Sequence, residues 1–380
     1  MKSHRRLSLF LWLIFTFVTV PARAQWQLAF DTYVGQDNNL LRYYNPMRDH
    51  IVSPRIEIAY SGTQTRYYYS NDLIRIVDND QYSYTTHNAG IDWLREDRKN
   101  INHYLAADFE MRQDRPDFSY FDYWKAEGLY DVKFFPASWV FVNGSLTVFY
   151  KNFKEEATWN HWESSLNLAT SFFLPTRTTL RVSAMGLIRD FSKYAVPDAE
   201  SGTAELSTIW QLVGIVRIAQ SFGSQIGGYS ELLYRFNPSE SNPYQVEVVG
   251  FSPIDDYFGY KGYKWTNALK WKINKQFWSR ITLSAYRNTY LNRPVYDYDF
   301  STGTWLTDAD ENYIILSNNR QDNGYSADLS VGIQLNKIFN RASNFGVIGS
   351  IGYFHNNSND NYFEYDDRTL SIQTTYDLQW

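Results

Sequence analysis

The sequence predicts an all-β fold, a single transmembrane antiparallel up-and-down β-barrel of about 16 strands. Three observations predict it: an N-terminal export signal, long segments in which apolar and polar residues alternate, and an abundance of Tyr and Trp. The predicted organisation is a signal peptide at residues 1–24 followed by one barrel domain at residues 25–380. About 14 or 18 strands also fit, because the alternation at 65–77, 119–134 and 225–236 has an ambiguous phase.

The N-terminal residues have the three parts of a secretory signal. The cations Lys2, Arg5 and Arg6 come first, an apolar run covers 7–20, and small residues lie within 21–24. The apolar run is shorter than the roughly 20 residues that a spanning helix needs. We therefore expect cleavage after Ala24, which makes Gln25 the first mature residue. An uncleaved N-terminal membrane anchor is the alternative.

Composition excludes several classes of protein. Of the 36 Lys and Arg residues, four lie in the signal, so the mature chain has 32 against 41 Asp and Glu, a net charge of −9. Such a chain lacks the positive surface that nucleic acid requires, and we expect no nucleic-acid partner. The absence of Cys excludes disulfides and thiolate metal sites, and no cofactor is implied. The 31 Tyr and 13 Trp residues are of the type that collects at membrane–water boundaries.

Alternation along the chain predicts the strands. The clearest example is the last segment, 368–380, where the even positions from Leu370 to Trp380 are apolar or aromatic except for Thr374, and polar residues lie between them. A period of two gives a strand with one apolar face and one polar face. The predicted strands are 25–34, 51–60, 65–77, 82–94, 101–112, 119–134, 138–150, 159–173, 178–190, 203–219, 225–236, 257–273, 277–289, 324–337, 343–355 and 368–380.

The connections between these strands alternate in length. One side has only short turns, whereas the other includes long connections at 35–50, 191–202, 237–256, 290–323 and 356–367. Bacterial outer-membrane barrels have short periplasmic turns and long external loops. The pattern therefore predicts a barrel in the bacterial outer membrane, surrounded by its lipid, with both termini in the periplasm. A soluble secreted β-protein is the alternative, but strands of this length with free edges would aggregate in water.

Residues 25–380 resemble bacterial outer-membrane β-barrel proteins, and the most specific feature is the C-terminal strand that ends in an aromatic residue. In that group the terminal aromatic strand is read by the barrel assembly machinery. The resemblance implies that Tyr376, Leu378 and Trp380 form this assembly signal; they are equally explained as side chains that face lipid. Because many porins are trimers, the resemblance also raises a homo-trimer, which the residues themselves do not establish.

A second resemblance lies near the mature N-terminus. The segment 35–42, Gly-Gln-Asp-Asn-Asn-Leu-Leu-Arg, is followed by Asp49 and by Ser53-Pro54. This pattern resembles the first hairpin of porins that are encoded with exopolysaccharide gene clusters. It implies a link to polysaccharide.

Strand phase predicts two groups of charged side chains that face the lumen. We define the acidic arc as Asp31, Asp92, Asp108, Glu110, Asp328 and Asp377. We define the basic arc as Arg181, Arg217, Lys264, Lys270, Lys272 and Arg280. The two groups lie on roughly opposite sides of a closed ring, where they would create a transverse field that orients water and polar solutes. Local pairing with neighbouring residues is the simpler interpretation.

These features predict a porin-like channel for passive diffusion of small polar solutes, because side chains alone do not fill a barrel of about 16 strands. The first alternative is a non-enzymatic barrel for polysaccharide export or surface binding, in which aromatic lumen residues such as Tyr104, Phe149 and Tyr286 would stack on sugars. The second is an outer-membrane hydrolase. His161 lies near Glu163 in the sequence, but no recognisable catalytic motif surrounds it.

Overall fold

The structure is a computed structural model. It describes residues 25–40, 46–97, 100–191, 195–196, 204–205, 208–237, 260–290, 294–299, 301–336 and 343–379. The predicted signal peptide at 1–24 lies outside the described residues. Within them, no helix is long and apolar enough to cross a membrane.

Sixteen antiparallel strands form one closed barrel, and each strand pairs with its neighbours in the sequence. The strands are β1 (Gln25–Asp37), β2 (Asp49–Ser61), β3 (Thr65–Ile76), β4 (Tyr84–Asp97), β5 (Ile101–Asp114), β6 (Tyr123–Ala137), β7 (Val140–Phe153), β8 (His161–Phe173), β9 (Thr178–Phe191), β10 (Ile209–Ser221), β11 (Ile226–Phe236), β12 (Tyr260–Lys272), β13 (Phe277–Tyr290), β14 (Arg320–Asn336), β15 (Ser343–Ser358) and β16 (Tyr365–Gln379). The predicted fold and strand number are confirmed.

The long-loop side of the barrel has short elements of its own. Three two-stranded sheets form there, and they pair Ala195–Val196 with Ala204–Glu205, Val295–Tyr296 with Ile315–Ser317, and Tyr298–Asp299 with Thr304–Trp305. Single turns of 3₁₀ helix occupy Asp80–Tyr82, Ala157–Trp159 and Asn361–Phe363, and Pro116–Phe121 form two such turns with a kink at Phe118.

The ends of several strands differ from the sequence prediction, mainly on the long-loop side. Strand β14 begins at Arg320 and β15 continues to Ser358, beyond the predicted ends at 324 and 355. Their polar residues pair with one another: the Arg320 guanidinium donates to both oxygens of Asp322, and the Ser358 hydroxyl donates to the same carboxylate at 2.7 Å. This polar run therefore remains in the sheet although its composition resembles a loop. Strand β8 begins later than predicted, because Ala157–Trp159 form a helical turn.

Side chains alternate between two faces along every strand. The outer face carries large exposed apolar residues, among them Phe30, Ile58, Leu370 and Ile372, of which the last two are 58% and 55% exposed. The intervening side chains face the lumen and are mostly polar or charged. Because the strand period is two, one register fixes the orientation of the whole wall.

The barrel closes through the segment that resembles the first hairpin of polysaccharide-linked porins. Strand β1 pairs with β16 from Gln27 opposite Gln379 to Asp37 opposite Thr369. Beyond the ladder, the Asn38 amide donates to the Arg368 carbonyl at 3.2 Å, and the Arg368 amide donates to the Asn38 side chain. The Asn39 side chain donates to the Asp366 carbonyl at 3.3 Å. These residues fasten the first strand to the last.

Candidate functional site: the charged lumen wall

The basic arc lies on four strands. All six residues have the phase opposite to the exposed apolar side chains of their strands, such as Val182 on β9, Trp265 on β12 and Ile281 on β13. The arc places Arg181 on β9, Arg217 on β10, Lys264, Lys270 and Lys272 on β12, and Arg280 on β13. All except Lys264 lie in the half of their strand that is nearer the short turns.

Two pairs of like charges stand directly opposite each other in the basic arc. Arg181 pairs in register with Arg217, and Lys270 pairs in register with Arg280. Like charges in directly opposed positions of a sheet destabilise it. A hydrated lumen that admits anions would screen this repulsion, whereas a dry, packed interior would not.

The cations of the basic arc have few partners. Arg217 donates to Glu231 at 2.6 Å, and Arg280 donates to the Tyr229 hydroxyl at 3.2 Å. The ammonium of Lys270 lies 4.4 Å from the centre of the Trp278 ring. Across the part of the chain that the structure describes, no carboxylate forms an ion pair with any of the other five cations; these are Arg181, Lys264, Lys270, Lys272 and Arg280. The arc therefore presents a net positive surface.

Two members of the acidic arc, Asp92 and Glu110, form ion pairs with cations that the sequence analysis did not identify. The arc places Asp31 on β1, Asp92 on β4, Asp108 and Glu110 on β5, Asp328 on β14 and Asp377 on β16. Arg66 contacts both Glu57 and Asp92, the latter at 3.4 Å. Lys125 lies 3.2 Å from Glu110 and 3.3 Å from Glu127.

We call this region of β2–β6 the mixed network, and it comprises Arg55, Glu57, Arg66, Asp72, Asp92, Asp108, Glu110, Lys125 and Glu127. Arg55 completes it, because its guanidinium lies 3.0 Å from Glu57 and 3.6 Å from Asp72. Tyrosine hydroxyls add further contacts: Tyr68 donates to Asp108 and Tyr123 donates to Glu110. The ambiguous phase of 65–77 and 119–134 concealed Arg66, Asp72, Lys125 and Glu127 from sequence reasoning.

Two large aromatic side chains of the inner face, Trp278 and Tyr286, lie along the wall. Trp278 on β13 stands opposite Gly332, and Tyr286 stands opposite Gly324, both on β14. A Cβ atom on either glycine would collide with the ring that covers it. The glycines thus allow the rings to lie flat on the neighbouring strand, which keeps them out of the lumen.

His161, the histidine considered above as part of a hydrolase site, makes contacts that stabilise the barrel wall. Its side chain lies on the inner face of β8 and is 2% exposed, and its Nδ1 lies 2.8 Å from the Trp159 carbonyl oxygen. The nearby Glu163 pairs instead with Arg189, whose guanidinium nitrogen lies 2.7 Å from the carboxylate. The hydrogen bonds of this group fasten the Ala157–Trp159 turn to the wall.

One group of three potential metal ligands occurs in the described ranges, formed by Asp49, His50 and Asp78. The buried Asp49 carboxylate already accepts hydrogen bonds from the His50 amide at 2.6 Å, the Asp78 amide at 3.0 Å and the Asn79 side chain at 2.6 Å. Because its oxygens accept hydrogen bonds from N–H donors, the Asp49 carboxylate stabilises the turn. We therefore assign no metal to it.

The predicted assembly residues are only partly covered by the structure. Tyr376 and Leu378 stand opposite Phe30 and Leu28 of β1 and share their outward phase. Trp380 lies outside the described residues. Recognition of this strand by the assembly machinery stays a prediction.

No protein-family model matches the chain, and no curated protein is similar to it in sequence. Solved structures with a similar fold include OccAB1 of Acinetobacter baumannii, with a TM-score of 0.53, 8% identity and coverage of 94% of this chain and 96% of that one. OccAB3 of the same organism has a TM-score of 0.51 and 8% identity, with coverage of 95% of this chain and 100% of that one. OccD3 (OpdP) of Pseudomonas aeruginosa has a TM-score of 0.50 and 8% identity, with coverage of 94% of this chain and 92% of that one. At such identities the likeness shows the fold alone: this chain has the fold of a bacterial outer-membrane β-barrel.

Proposed function

We propose that the protein is a passive channel in the bacterial outer membrane through which small polar solutes diffuse without an enzymatic step. Closure of the barrel gives the backbone N–H and C=O groups of every strand a partner strand, as a membrane-spanning sheet requires. The outer face of the barrel is apolar. A barrel of this strand number is too wide for side chains to fill. The resident partners in this proposal are the surrounding lipid and the diffusing solute.

The observation that carries the proposal is that two pairs of like-charged residues stand in register in the basic arc. Arg181 opposite Arg217 and Lys270 opposite Arg280 would each be costly in a dry interior. Water and mobile anions in the lumen remove most of that cost. The flat position of Trp278 and Tyr286 over glycines supports the same conclusion, because these rings leave the lumen free.

The test is single-channel recording of the refolded mature protein, residues 25–380, in planar bilayers. We expect stable current steps in potassium chloride and a reversal potential in a salt gradient that favours chloride over potassium. A barrel that folds, shifts its gel mobility on heating and inserts into lipid, yet never conducts, would contradict the channel.

A second candidate is passage of a polysaccharide. The motif that begins with residues 35–42 and the inward aromatic residues favour it. However, Tyr286 donates to Asn356 at 2.7 Å and lies parallel to Phe354, with ring centres 5.9 Å apart. These contacts hold the Tyr286 ring against the barrel wall, where it is less available to stack on a sugar. Blockage of the open channel by maltodextrins of increasing length, at micromolar concentration, would favour the polysaccharide over small solutes.

A further inference from the structure

The outer face of the barrel changes character near the long loops. On β6–β8 that end carries Trp124, Tyr150 and Trp162, whose ring centres follow one another at 5.5 and 4.8 Å. This is the aromatic belt expected at a membrane boundary. On β12–β16 the same end carries charged and polar side chains, which we call the outer polar patch. Its members are Lys261, Arg287, Tyr325, Tyr353, His355, Asp366 and Arg368.

These residues point away from the lumen. Lys261 has the phase of the exposed Tyr263, Arg287 that of Leu283, and Arg368 that of Leu370. The Lys261, Arg287 and Arg368 positions are themselves exposed, as is Asp366. The patch therefore faces whatever surrounds the barrel.

Strand register makes the patch continuous. Tyr325 of β14 stands opposite His355 of β15, which stands opposite Asp366 of β16. Tyr353 stands opposite Arg368 in the same ladder.

On the other flank of the patch, Arg287 stands opposite Tyr263, two residues from Lys261 on β12. On its second side Arg287 stands opposite Asn323, two residues from Tyr325 on β14. Neighbours at such diagonal positions of a sheet are within reach of long side chains. Seven side chains from five adjacent strands thus form one surface.

Contacts within the patch preorganise its centre and leave its cations available. The Tyr353 hydroxyl donates to Asp366 at 2.6 Å, and the His355 ring nitrogen lies 2.9 Å from the same carboxylate. Arg287 donates to the Gln321 side chain at 3.3 Å. In the described part of the chain, no carboxylate forms an ion pair with Lys261, Arg287 or Arg368.

The patch carries three cations, Lys261, Arg287 and Arg368, against one carboxylate, Asp366, so a net positive charge remains for an anion outside the protein. A cation on the outer face is costly at the bilayer midplane and nearly neutral at headgroup level, and these residues lie at the strand ends. Arginine binds phosphate through two parallel N–H donors, and lysine adds a point charge. The tyrosine hydroxyls of the patch supply donors and acceptors of the kind that sugar hydroxyls need.

We propose that the outer polar patch binds the phosphorylated sugar headgroup of a glycolipid in the outer leaflet around the barrel. The proposal rests on the membrane position that belongs to the proposed function, but it is independent of conduction. Arg287 and Arg368 hold the phosphates from the two flanks, Lys261 extends the basic flank, and Tyr325 and Tyr353 contact the sugar between them.

The experiment is native mass spectrometry of the folded mature protein in detergent, titrated with a bis-phosphorylated, acylated glucosamine disaccharide. The test variant is K261Q/R287Q/R368Q. The matched control is R75Q/R115Q/K154Q, which removes three cations at the same rim outside the patch, each with a carboxylate within 4.0 Å. We expect the test variant to bind at least about tenfold less lipid and the control to bind as the wild type does.

Three results would overturn the proposal. The first is equal binding by the test variant and the wild type, and the second is equal binding of the dephosphorylated disaccharide. The third is a wild-type dimer or trimer that the test variant loses, which would assign the patch to contact between copies of the chain. Heat-modifiable mobility verifies that each variant is folded. Conductance is recorded separately, so a silent channel that still binds the lipid would contradict the proposed function alone.

Discussion

The two charged sides of the lumen differ in how their charges are compensated. In the mixed network, Arg66 contacts carboxylates of both neighbouring strands, and Lys125 contacts Glu110 of the neighbouring strand and Glu127 of its own. In the basic arc, Arg181 and Lys270 stand opposite another cation. The acidic side therefore stabilises its own wall, whereas the basic side leaves positive charge for the solution. We infer that the basic arc determines selectivity and that the mixed network mainly holds the wall in shape.

The largest expected effect follows from reversing the basic arc. K264E/K270E/R280E changes the charge of the inner wall by six units, since three cations become three anions. We expect the preference for chloride to become a preference for potassium, because a low-dielectric wall focuses the field of its charges. The measurement is the reversal potential in a salt gradient. K275E, in the turn between β12 and β13, is the control, and an equal shift in K275E would refute a role for the arc.

A smaller effect is expected from the mixed network. R66Q leaves Glu57 and Asp92 without the cation they share, and these side chains are partly exposed to the lumen. We expect a loss of about 1 kcal/mol in the free energy of unfolding, after allowing for solvent screening. Urea unfolding in liposomes measures it, with R75Q as the control on the outer face. If R66Q changed selectivity more than the triple reversal does, the comparison between the two sides would fail.

Removal of one like-charge contact should stabilise the barrel slightly. K270Q relieves the repulsion from Arg280 and keeps a side chain of similar length. We expect a gain of roughly 0.2–1 kcal/mol in the free energy of unfolding together with a lower chloride current. K264Q, whose in-register partners are Leu233 and Tyr286, is the matched control for stability. A destabilised K270Q would show that Lys270 has a favourable contact beyond Trp278.

The smallest expected effect is the pH dependence of the long loop that carries Asp299 and Asp308. Hydrogen bonds from Ser301 lower the pKa of Asp299, and backbone amides of Asn312 and Asp310 lower that of Asp308. A carboxyl with a lowered pKa in the folded state adds stability above its ordinary value near 3.8, which is lost as the pH falls through the lowered value.

We therefore expect Trp305 fluorescence and protease resistance of this loop to be constant between about pH 7 and 5 and to change only below about pH 4. D299N/D308N should remove the change. A transition near pH 6 would contradict this assignment. If conductance changes between about pH 7 and 5, we therefore attribute the change to titratable groups in the lumen and not to this loop.

The sequence was sufficient for the fold because one physical pattern dominates it. Alternation such as that from Leu370 to Trp380 fixes both the strand and its faces, and chain-order pairing follows from the short turns. Strand ends were harder to predict, because Arg320 and Asp322 look like loop residues until their mutual hydrogen bonds are seen.

The candidate site was predictable only in part. Single strands with clear phase, such as β9 and β12, gave the basic arc its residues. The partners of the acidic arc were missed, because a pair such as Arg66 and Glu57 depends on register between strands and not on the phase within one strand. The sequence also could not show that Trp278 lies over Gly332, since 54 positions separate them.

The hydrogen bonds between Asn38 and Arg368 connect the first and last strands of the barrel, which affects how the chain folds. These residues are 330 positions apart, so their contact joins strands at opposite ends of the described chain. Contacts of such separation form late, and a wrong offset between β1 and β16 by one residue would turn Leu370 and Ile372 toward water. The side chains of Asn38 and Asn39 make their hydrogen bonds to Arg368 and Asp366 in the native alignment of the two strands. We infer that these bonds favour the register in which the last strand joins the first and closes the barrel.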